Sequence, residues 1–140
     1  MSARAKDATT LLSAQMPDLD TALLVLVHGS PTAGAYDPML RVVEEVRARG
    51  IFRVVEVGYM ECNTPTIADA ADACAASGCT RVVAVPFFLH MGAHVSSDLP
   101  DALDKARARH PEVAFLMGEF LGLSPKVTEI LADRARAAVT

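Results

Sequence analysis

The stretch "ALLVLVHGSPTAG", residues 22–34, decides the fold, because an apolar run of six residues breaks off at a histidine and a turn. Residues 22–27 are too few for a typical helix and rich in branched side chains, which is typical of a strand covered on both faces. Glycine, serine and proline after His28 indicate that the chain turns there. His28 is therefore a titratable side chain at the end of a buried strand, and its position asks for a functional explanation.

Strands and helices are predicted to alternate along the rest of the chain. Residues 52–60, 80–88 and 112–118 have the composition of strands, with Pro86 near the end of one of them. The segments between the strands carry apolar residues at helical spacing, with capping residues at their ends. The predicted helices comprise Met39–Val46 closed by Gly50, a segment begun by Thr64 and Pro65 with the buried stripe Ile67, Ala70, Ala71 and Cys74, a segment outlined by Ser97, Leu99, Leu103 and Ala106, and a segment begun by Ser124 and Pro125 with Val127, Ile130 and Leu131 facing inward.

Four strand–helix repeats predict an α/β protein with a four-stranded parallel sheet and helices on both faces, a three-layer arrangement. A chain of 140 residues is long enough to bury one hydrophobic core but too short for two well-packed domains. We expect one domain over residues 21–140. Residues 1–20 mix charged, polar and short apolar pieces, which predicts a loose or partly helical arm.

Composition excludes several classes of protein. A hydrophobic fraction of 51% with 21% charged residues is typical of a globular protein. The net charge of −4 argues against a nucleic-acid partner, which would require a basic stripe. An anionic ligand would have to be held by a local cluster of donors, because the overall field opposes it.

The three cysteines, Cys62, Cys74 and Cys79, form neither a CxxC pair nor an even disulfide set. Unpaired cysteines suit a reducing compartment, so we expect a cytoplasmic protein in which they act as packing residues. The first twenty residues match neither a signal peptide nor a membrane span, and we expect no membrane partner.

Three residues with metal-binding side chains follow three successive predicted strands. His28 follows the first, Glu61 the second, and His94 lies in the loop after the third, at two equal intervals of 33 residues. Ligands of open α/β sheets bind outside the carboxyl ends of the strands, where the strand order reverses. In the order 2-1-3-4 the first strand is central, so the other two side chains could converge on His28. Two imidazoles and a carboxylate predict a site for a divalent transition metal with open coordination positions.

Each of these residues also has a structural interpretation. A lone histidine at a strand end is more often a hydrogen-bonded structural residue, and a carboxylate before a turn is more often solvated. His90 lies four residues before His94, but Gly92 between them disfavours a shared helical face, so a pocket wall is an equal interpretation. His110 is most simply a helix-capping cation or a solvated side chain.

Other motifs can be tested on the sequence directly. "LVHGSP" is similar to the oxyanion segment of α/β-hydrolases, but the chain has no G-x-S-x-G nucleophile elbow. No lysine follows Gly34, so the loop is not a P-loop, and no G-x-G-x-x-G follows a strand. The hydrolase and nucleotide-binding interpretations are therefore poorly supported.

Four motifs in order resemble the class II chelatases, and in particular the short CbiX type of sirohydrochlorin chelatase. They are "LVHGS", the E-x-x-x-P-T-I-x-D-A stretch of residues 61–70, the P-F-F-L-x-x-G-x-H-x-x-x-D-L-P stretch of residues 86–100, and "LGLSP…ILADR" of residues 121–134. The resemblance runs from about residue 22 to the end of the chain and leaves the N-terminal arm outside it. The third motif is the most specific of the four.

The resemblance implies a chelatase fold and ATP-independent insertion of Co²⁺ or Fe²⁺ into sirohydrochlorin, in cobalamin or sirohaem synthesis. Ni²⁺ suits the same ligand types. The metal would be a substrate, with no permanently bound cofactor. The family's two metal-handling or proton-accepting histidines match His28 and His94, and an acidic residue of its second motif matches Glu61. Because longer relatives carry two such domains, a single-domain form is expected to be a homodimer with its cleft between the subunits.

Binding of the tetrapyrrole requires hydrogen-bond donors and apolar walls in the site. Its carboxylates require donors, for which the candidates are Ser30, the backbone N–H groups after Gly29, and a helix start near Ser96 and Ser97. The candidates for apolar walls are Phe87, Phe88, Leu89 and Met91, although Phe87 and Phe88 are equally interpretable as core or dimer contacts. Neutral imidazole can both bind the ion and accept a proton displaced from the ring.

Two alternatives remain open at the level of the sequence. The chain could be a noncatalytic carrier of metal or tetrapyrrole, which would bind stoichiometrically without turnover. It could also be a subunit of a larger chelatase assembly that is inactive alone. The histidine-rich tracts of some family members are absent, which argues against metal storage.

Overall fold

The computed structural model describes residues 16–139 and has an α/β architecture around a four-stranded parallel sheet. The strand order is β2-β1-β3-β4, which confirms the predicted central position of the first strand. The elements in chain order are β1 (Thr21–Val27), α1 (Asp37–Ala48), β2 (Val55–Tyr59), α2 (Ile67–Ala76), β3 (Arg81–Pro86), α3 (Ala93–Arg109), β4 (Ala114–Met117), a short 3₁₀ helix (Leu121–Leu123) and α4 (Lys126–Val139).

Strand β1 is the centre of the sheet because it pairs with strands on both sides. Leu23 lies opposite Val55 of β2 and Val83 of β3, and this parallel register continues to Val27 opposite Tyr59. Burial on both edges and both faces accounts for the uninterrupted apolar run, since a strand in this position has no solvent-facing side.

One face of the sheet is covered by α2 and α3. Side chains from β1, β3 and β4 pack there against the two helices in a single core cluster. Leu99 and Leu103 of α3 are each only 1% exposed, so the predicted apolar stripe of this helix is confirmed. The buried members of this cluster are Ala22, Leu24, Leu26, Ile67, Ala70, Ala71, Cys74, Cys79, Val82, Ala84, Leu99, Leu103, Ala106, Val113 and Phe115.

The opposite face has a smaller core against α1. Met39 and Val43 of α1 pack on Val25 and Val27 of β1 and on the inward side chains of β2. The prediction that Val127, Ile130 and Leu131 of the last helix face inward is wrong for two of them, because Ile130 is 56% exposed and Leu131 is 72% exposed. Their apolar spacing marks a face of α4 that the described residues do not bury.

Two predicted helix starts are also wrong, and in both cases a capping residue decides the boundary. Helix α2 begins at Ile67, after Thr66, whose extended backbone and Oγ1 atom, accepting from the Asp69 N–H, make it the N-cap in place of Thr64. Helix α3 begins at Ala93, and the Ser96 N–H already donates to the Gly92 carbonyl. The predicted start near Ser96 and Ser97 therefore lies inside the helix.

The end of the predicted N-terminal arm contacts the sheet. Asp18 pairs with Phe52 in an isolated bridge, accepts a hydrogen bond from the Thr21 hydroxyl at 2.7 Å, and accepts one from Arg81 Nη2 at 2.9 Å. These bonds hold the pKa of Asp18 below its usual value, with the bond from Arg81 contributing most. The domain's contacts thus begin by Asp18, and residues 1–15 of the predicted arm lie outside the described residues.

His110 ties α3 to α2. Its backbone caps α3, while its side-chain Nε2 lies 2.7 Å from Asp72 Oδ1, which also accepts from Arg109 Nε at 3.1 Å. The bond with His110, followed by the smaller contribution of Arg109, lowers the pKa of Asp72. The structure thus adds an interhelical contact to the predicted capping role of His110.

Replacing Leu103 by alanine tests the larger core. Leu103 is 1% exposed, so Leu103→Ala should lower the free energy of unfolding by about 2–5 kcal/mol through lost burial and a residual cavity. Urea denaturation followed by circular dichroism measures this change. The matched control is Leu89→Ala, where the side chain is 66% exposed and the expected change is within about 0.5 kcal/mol. Equal losses in the two variants would contradict this packing.

Candidate active site at the carboxyl edge of the sheet

The backbone pairing of β1 and β2 continues past the ends of both strands and brings His28 beside Glu61. The Met60 N–H donates to the Val27 carbonyl at 2.8 Å, and the Glu61 N–H donates to the His28 carbonyl at 3.0 Å. As a result, His28 Nε2 lies 3.5 Å from Glu61 Oε1. The predicted convergence of these two strand-end residues is confirmed.

The His28–Glu61 pair is open to solvent. The His28 side chain is 47% exposed and the Glu61 side chain 60% exposed. At this exposure, even a charged histidine–carboxylate pair contributes at most about 1 kcal/mol to folding, so the pair does little for stability. Its accessibility leaves both side chains free to meet a ligand.

Gly29 is required for the two backbones to approach each other. Its φ is +104°, and a Cβ at this position would lie 1.8 Å from the Glu61 carbonyl oxygen. Only glycine can adopt this positive φ with a neighbouring carbonyl oxygen so close to where a Cβ would lie. Gly29 therefore allows the loop that contains His28 to contact the loop that contains Glu61.

Two side chains hold the loop that follows His28. The Gly29 N–H donates to the Tyr36 hydroxyl at 2.9 Å, and the Ser30 N–H donates to Asn63 Oδ1 at 2.8 Å. The sequence predicts the N–H groups after Gly29 as donors to substrate carboxylates, but the Ser30 N–H is already bonded to Asn63. The Ser30 hydroxyl oxygen accepts from the Thr32 N–H at 3.1 Å and keeps its own proton as a donor.

His94 is not brought into one cluster with His28 and Glu61. It is the second residue of α3 and is exposed, in the connection that follows β3 at the same edge of the sheet. Within residues 16–139, no three His, Cys, Asp or Glu side chains are grouped so that they could hold a metal ion. The three-ligand site therefore stays a prediction that a single copy does not assemble.

The predicted apolar walls divide between the two faces of the sheet. Phe88 and Met91 pack against the larger core, whereas Phe87 packs against the smaller one. Packing therefore accounts for these three partly buried side chains, while Leu89 is exposed and accessible to a ligand. Ser96 and Ser97 are exposed on the second turn of α3, where a hydroxyl can donate even though the Ser96 N–H is already bonded.

A second close backbone approach holds the loop after β3. The Gly122 N–H donates to the Phe88 carbonyl at 3.1 Å, and a Cβ on Gly122 would lie 1.7 Å from the Leu89 carbonyl oxygen. The 3₁₀ helix is thereby pressed against the segment that leads to His90 and His94. The "LGLSP" motif accordingly has a structural role at the same edge of the sheet as His28.

The cysteines follow the predicted packing role in two of three cases. Cys74 and Cys79 are buried, and burial raises the pKa of the Cys74 thiol to about 12, which makes it unreactive. Cys62 is exposed beside Glu61 and has a positive φ of 66°. The Asn63 N–H donates to the Glu61 carbonyl across it at 2.8 Å, so Cys62 forms the middle of a tight turn.

This arrangement defines a class of protein, namely an α/β protein of the chelatase fold that presents an open histidine–carboxylate pair at the carboxyl edge of its parallel sheet. The family model CbiX matches residues 22–138, and the chain belongs to the CbiX family. Over residues 16–139, none of the helices combines the length and the apolar character that a membrane span requires.

Relatives of known name include chelatases for two metals. The chain is 32% identical over 117 residues to a sirohydrochlorin ferrochelatase of Priestia megaterium, matching 84% of this chain and 44% of that protein. It is 30% identical over 138 residues to a sirohydrochlorin cobaltochelatase of Methanopyrus kandleri, matching 84% of this chain and 96% of that protein. The chain thus spans less than half of one relative and nearly all of another.

Solved structures show the same pattern of coverage. The sirohydrochlorin chelatase SirB from Bacillus subtilis subspecies spizizenii, in complex with cobalt, superposes with a TM-score of 0.77 at 27% identity, over 84% of this chain and 50% of that chain. A CbiX protein from Marinobacter aquaeolei superposes with a TM-score of 0.74 at 23% identity, over 85% of this chain and 97% of that chain. The second likeness supports the fold.

The sequence analysis did not identify Tyr36 or Asn63 as residues that hold the loop. Only the position of Asn63 along the chain could have indicated its contact. Ser30 and Asn63 are separated by 33 residues, the same interval that relates His28 to Glu61. Partners within the two parallel strands are 32 residues apart, as Val27 opposite Tyr59 shows, so the interval of 33 marks residues that meet just beyond the strand ends, where the Glu61 N–H donates to the His28 carbonyl. Tyr36 had no comparable signal, since its contact depends on the path of the loop.

Substituting Gly29 tests the close approach of the two loops. Gly29→Ala should destabilise the fold by at least about 1–3 kcal/mol, because the positive φ alone costs that much and the added Cβ must displace the Glu61 carbonyl. Gly92→Ala is the matched control, since its Cβ meets nothing within 4 Å. Thermal unfolding of both variants measures the difference. A Gly29→Ala protein as stable as the Gly92→Ala protein would refute the close approach.

Proposed function

We propose that this protein is a sirohydrochlorin chelatase that inserts Co²⁺ or Fe²⁺ into the tetrapyrrole without ATP. The observation that carries the proposal is the open His28–Glu61 pair at the carboxyl edge of a CbiX-family sheet. The names of the relatives support the reaction and leave the metal open, because they include both ferrochelatases and cobaltochelatases.

The separation of the pair fits an ion better than a direct hydrogen bond. At 3.5 Å, His28 Nε2 and Glu61 Oε1 are farther apart than the usual donor–acceptor distance. Two ligand atoms that each lie about 2.1 Å from one ion, at a tetrahedral angle, are about 3.4 Å apart. The pair can therefore share a metal ion with little rearrangement, and two protein ligands leave positions open for transfer to the ring.

The chemistry of insertion requires bases as well as ligands. The metal ion forms bonds to the ring nitrogens, two pyrrole N–H bonds break, and the two protons must be accepted nearby, with no change of oxidation state. Once the ion has passed to the ring nitrogens, the Nε2 lone pair of His28 is free to accept one proton, and the Glu61 carboxylate stabilises the resulting imidazolium. We assign the second proton to His94, whose exposed position in α3 leaves it accessible to a ring bound at this edge.

A second copy of the chain is part of the proposal. The chain matches 50% of the SirB chain in complex with cobalt and 48% of SirB from Bacillus subtilis with Fe³⁺, so each of those chains has a further half beside the part that this domain resembles. Ile130 and Leu131 leave an apolar face of α4 exposed. Beside it is a cavity of about 320 Å³ lined only by apolar residues, namely Leu23, Val25, Val42, Val43, Val46, Val55, Val85, Phe87, Leu121 and Ile130. A homodimer that covers this face would also place a cleft for the ring between subunits.

A cytoplasmic location completes the proposal. All three cysteines are free, and Cys74 and Cys79 are buried as thiols in the core. A reducing compartment keeps such thiols unpaired.

Chelation under anaerobic conditions tests the reaction. The protein should convert a large excess of sirohydrochlorin with Co²⁺ or Fe²⁺ faster than the protein-free control, as followed by visible absorbance. His94→Ala should lose this turnover by about 10²–10⁴-fold while keeping its circular dichroism, because one proton acceptor is removed. His90→Ala is the matched control in the same loop and should keep its turnover. Conversion that stops at one equivalent would instead indicate a carrier, and near-normal turnover by His94→Ala would remove its assigned role.

Sedimentation equilibrium tests the homodimer. Leu131→Glu places a charge on the exposed apolar face of α4 and should convert a dimer into a folded monomer, because burying an unpaired carboxylate is costly. Ala132→Glu adds the same charge about 100° around the helix and should leave the dimer intact. A wild-type chain that sediments as a monomer at micromolar concentration would contradict the proposal.

A further inference from the structure

The peptide group between Gly29 and Ser30 connects Asn63 to His28. Its N–H belongs to Ser30 and donates to Asn63 Oδ1 at 2.8 Å. Its carbonyl belongs to Gly29 and lies 3.2 Å from His28 Nδ1. Because a peptide is planar, the bond to Asn63 on one side fixes the direction of the carbonyl on the other.

The contact with this carbonyl decides which imidazole nitrogen carries the proton. A carbonyl oxygen only accepts, so a hydrogen bond here makes Nδ1 the donor, and the competing acceptor, Glu61 Oε1, lies beyond the usual hydrogen-bond distance from Nε2. In the neutral imidazole, Nδ1 is then protonated and Nε2 keeps its lone pair. That lone pair belongs to the nitrogen that lies 3.5 Å from Glu61 Oε1.

We propose that Asn63 is a positioning residue that sets the tautomer of His28 by holding the Gly29–Ser30 peptide. The inference rests on the proposed function, in which Nε2 binds the ion or accepts the pyrrole proton. Asn63 itself contacts neither the ion nor the pyrrole proton. It acts through the peptide, as an outer hydrogen bond orients a metal-binding histidine.

Because Gly29 precedes it, the Gly29–Ser30 peptide depends on a side chain to fix its orientation. Gly29 has access to many backbone conformations, so the peptide after it could rotate if nothing held the Ser30 N–H. The preceding peptide is held independently, since the His28 carbonyl accepts from the Glu61 N–H at 3.0 Å and the Gly29 N–H donates to Tyr36. Loss of the Asn63 oxygen therefore frees one peptide and leaves the path of the loop in place.

Imidazole ¹⁵N chemical shifts of His28 test the proposal, measured on the whole chain at a pH where the ring is neutral. In the wild type, Nδ1 should give the shift of a protonated nitrogen and Nε2 that of an unprotonated one. Asn63→Leu keeps the size of the side chain and removes the acceptor, so the shifts should move toward a mixture of tautomers. Asn63→Asp keeps Oδ1 as an acceptor and should restore the wild-type pattern.

Two further readouts separate positioning from general damage. The Ser30 amide should exchange with solvent roughly tenfold faster in Asn63→Leu, as expected for the loss of one hydrogen bond, while the amides of β1 keep their protection. In chelation assays, Asn63→Leu should lower kcat with little change in the KM for sirohydrochlorin, since Asn63 holds a base and not the ring.

The outcomes distinguish this inference from the proposed function. A wild-type His28 with its proton on Nε2 would overturn the inference whether or not any variant folds, and so would a wild-type ¹⁵N pattern in Asn63→Leu. A wild-type protein with the expected tautomer but no turnover of sirohydrochlorin would support the positioning role of Asn63 and remove the proposed function.

Discussion

The site depends on the close contact between two backbones just beyond the ends of β1 and β2. The N–H of Glu61 reaches the carbonyl of His28 at 3.0 Å, and Gly29 lies against the Glu61 carbonyl where no side chain would fit. Hydrogen bonding that starts inside the sheet therefore extends to the two candidate site residues, His28 and Glu61. A histidine and a carboxylate on separate loops keep their spacing because their backbones belong to one continuous ladder.

Much of this fold could be predicted from the sequence, because burial leaves a direct pattern in composition. The apolar run of β1 indicated a strand covered on both faces, and the spacing of Leu99 and Leu103 indicated the buried side of α3. Helix starts were less predictable, since Thr64 and Thr66 are both suitable caps and only the backbone at Thr66 shows which one is used. The spacing of Ile130 and Leu131 correctly indicated an apolar face, but periodicity does not say whether such a face is covered by the same chain.

The site was predictable where residues lie in register and unpredictable where loops fold back. His28 and Glu61 directly follow two adjacent parallel strands, so their positions at the strand ends were enough to predict that they meet. Tyr36 and Asn63 do their work through bonds to backbone N–H groups, and any loop residue with an oxygen could in principle do the same. The backbone donors expected to bind substrate turned out to be engaged in holding the loop.

The openness of the His28–Glu61 pair follows from the same geometry. If His28 and Glu61 bind an ion as proposed, two protein ligands leave the other coordination positions open, which suits a site that passes the ion on. His94 lies in the connection after β3, on the other side of β1 from Glu61, so nothing in the backbone pairing fixes its distance to the pair. A tetrapyrrole that spans this edge would supply the missing link, since the ring itself would bring its two departing protons to His28 and His94. Under the proposed function, the openness of the site then has one explanation, in which the bound ring completes the site that the backbone pairing begins.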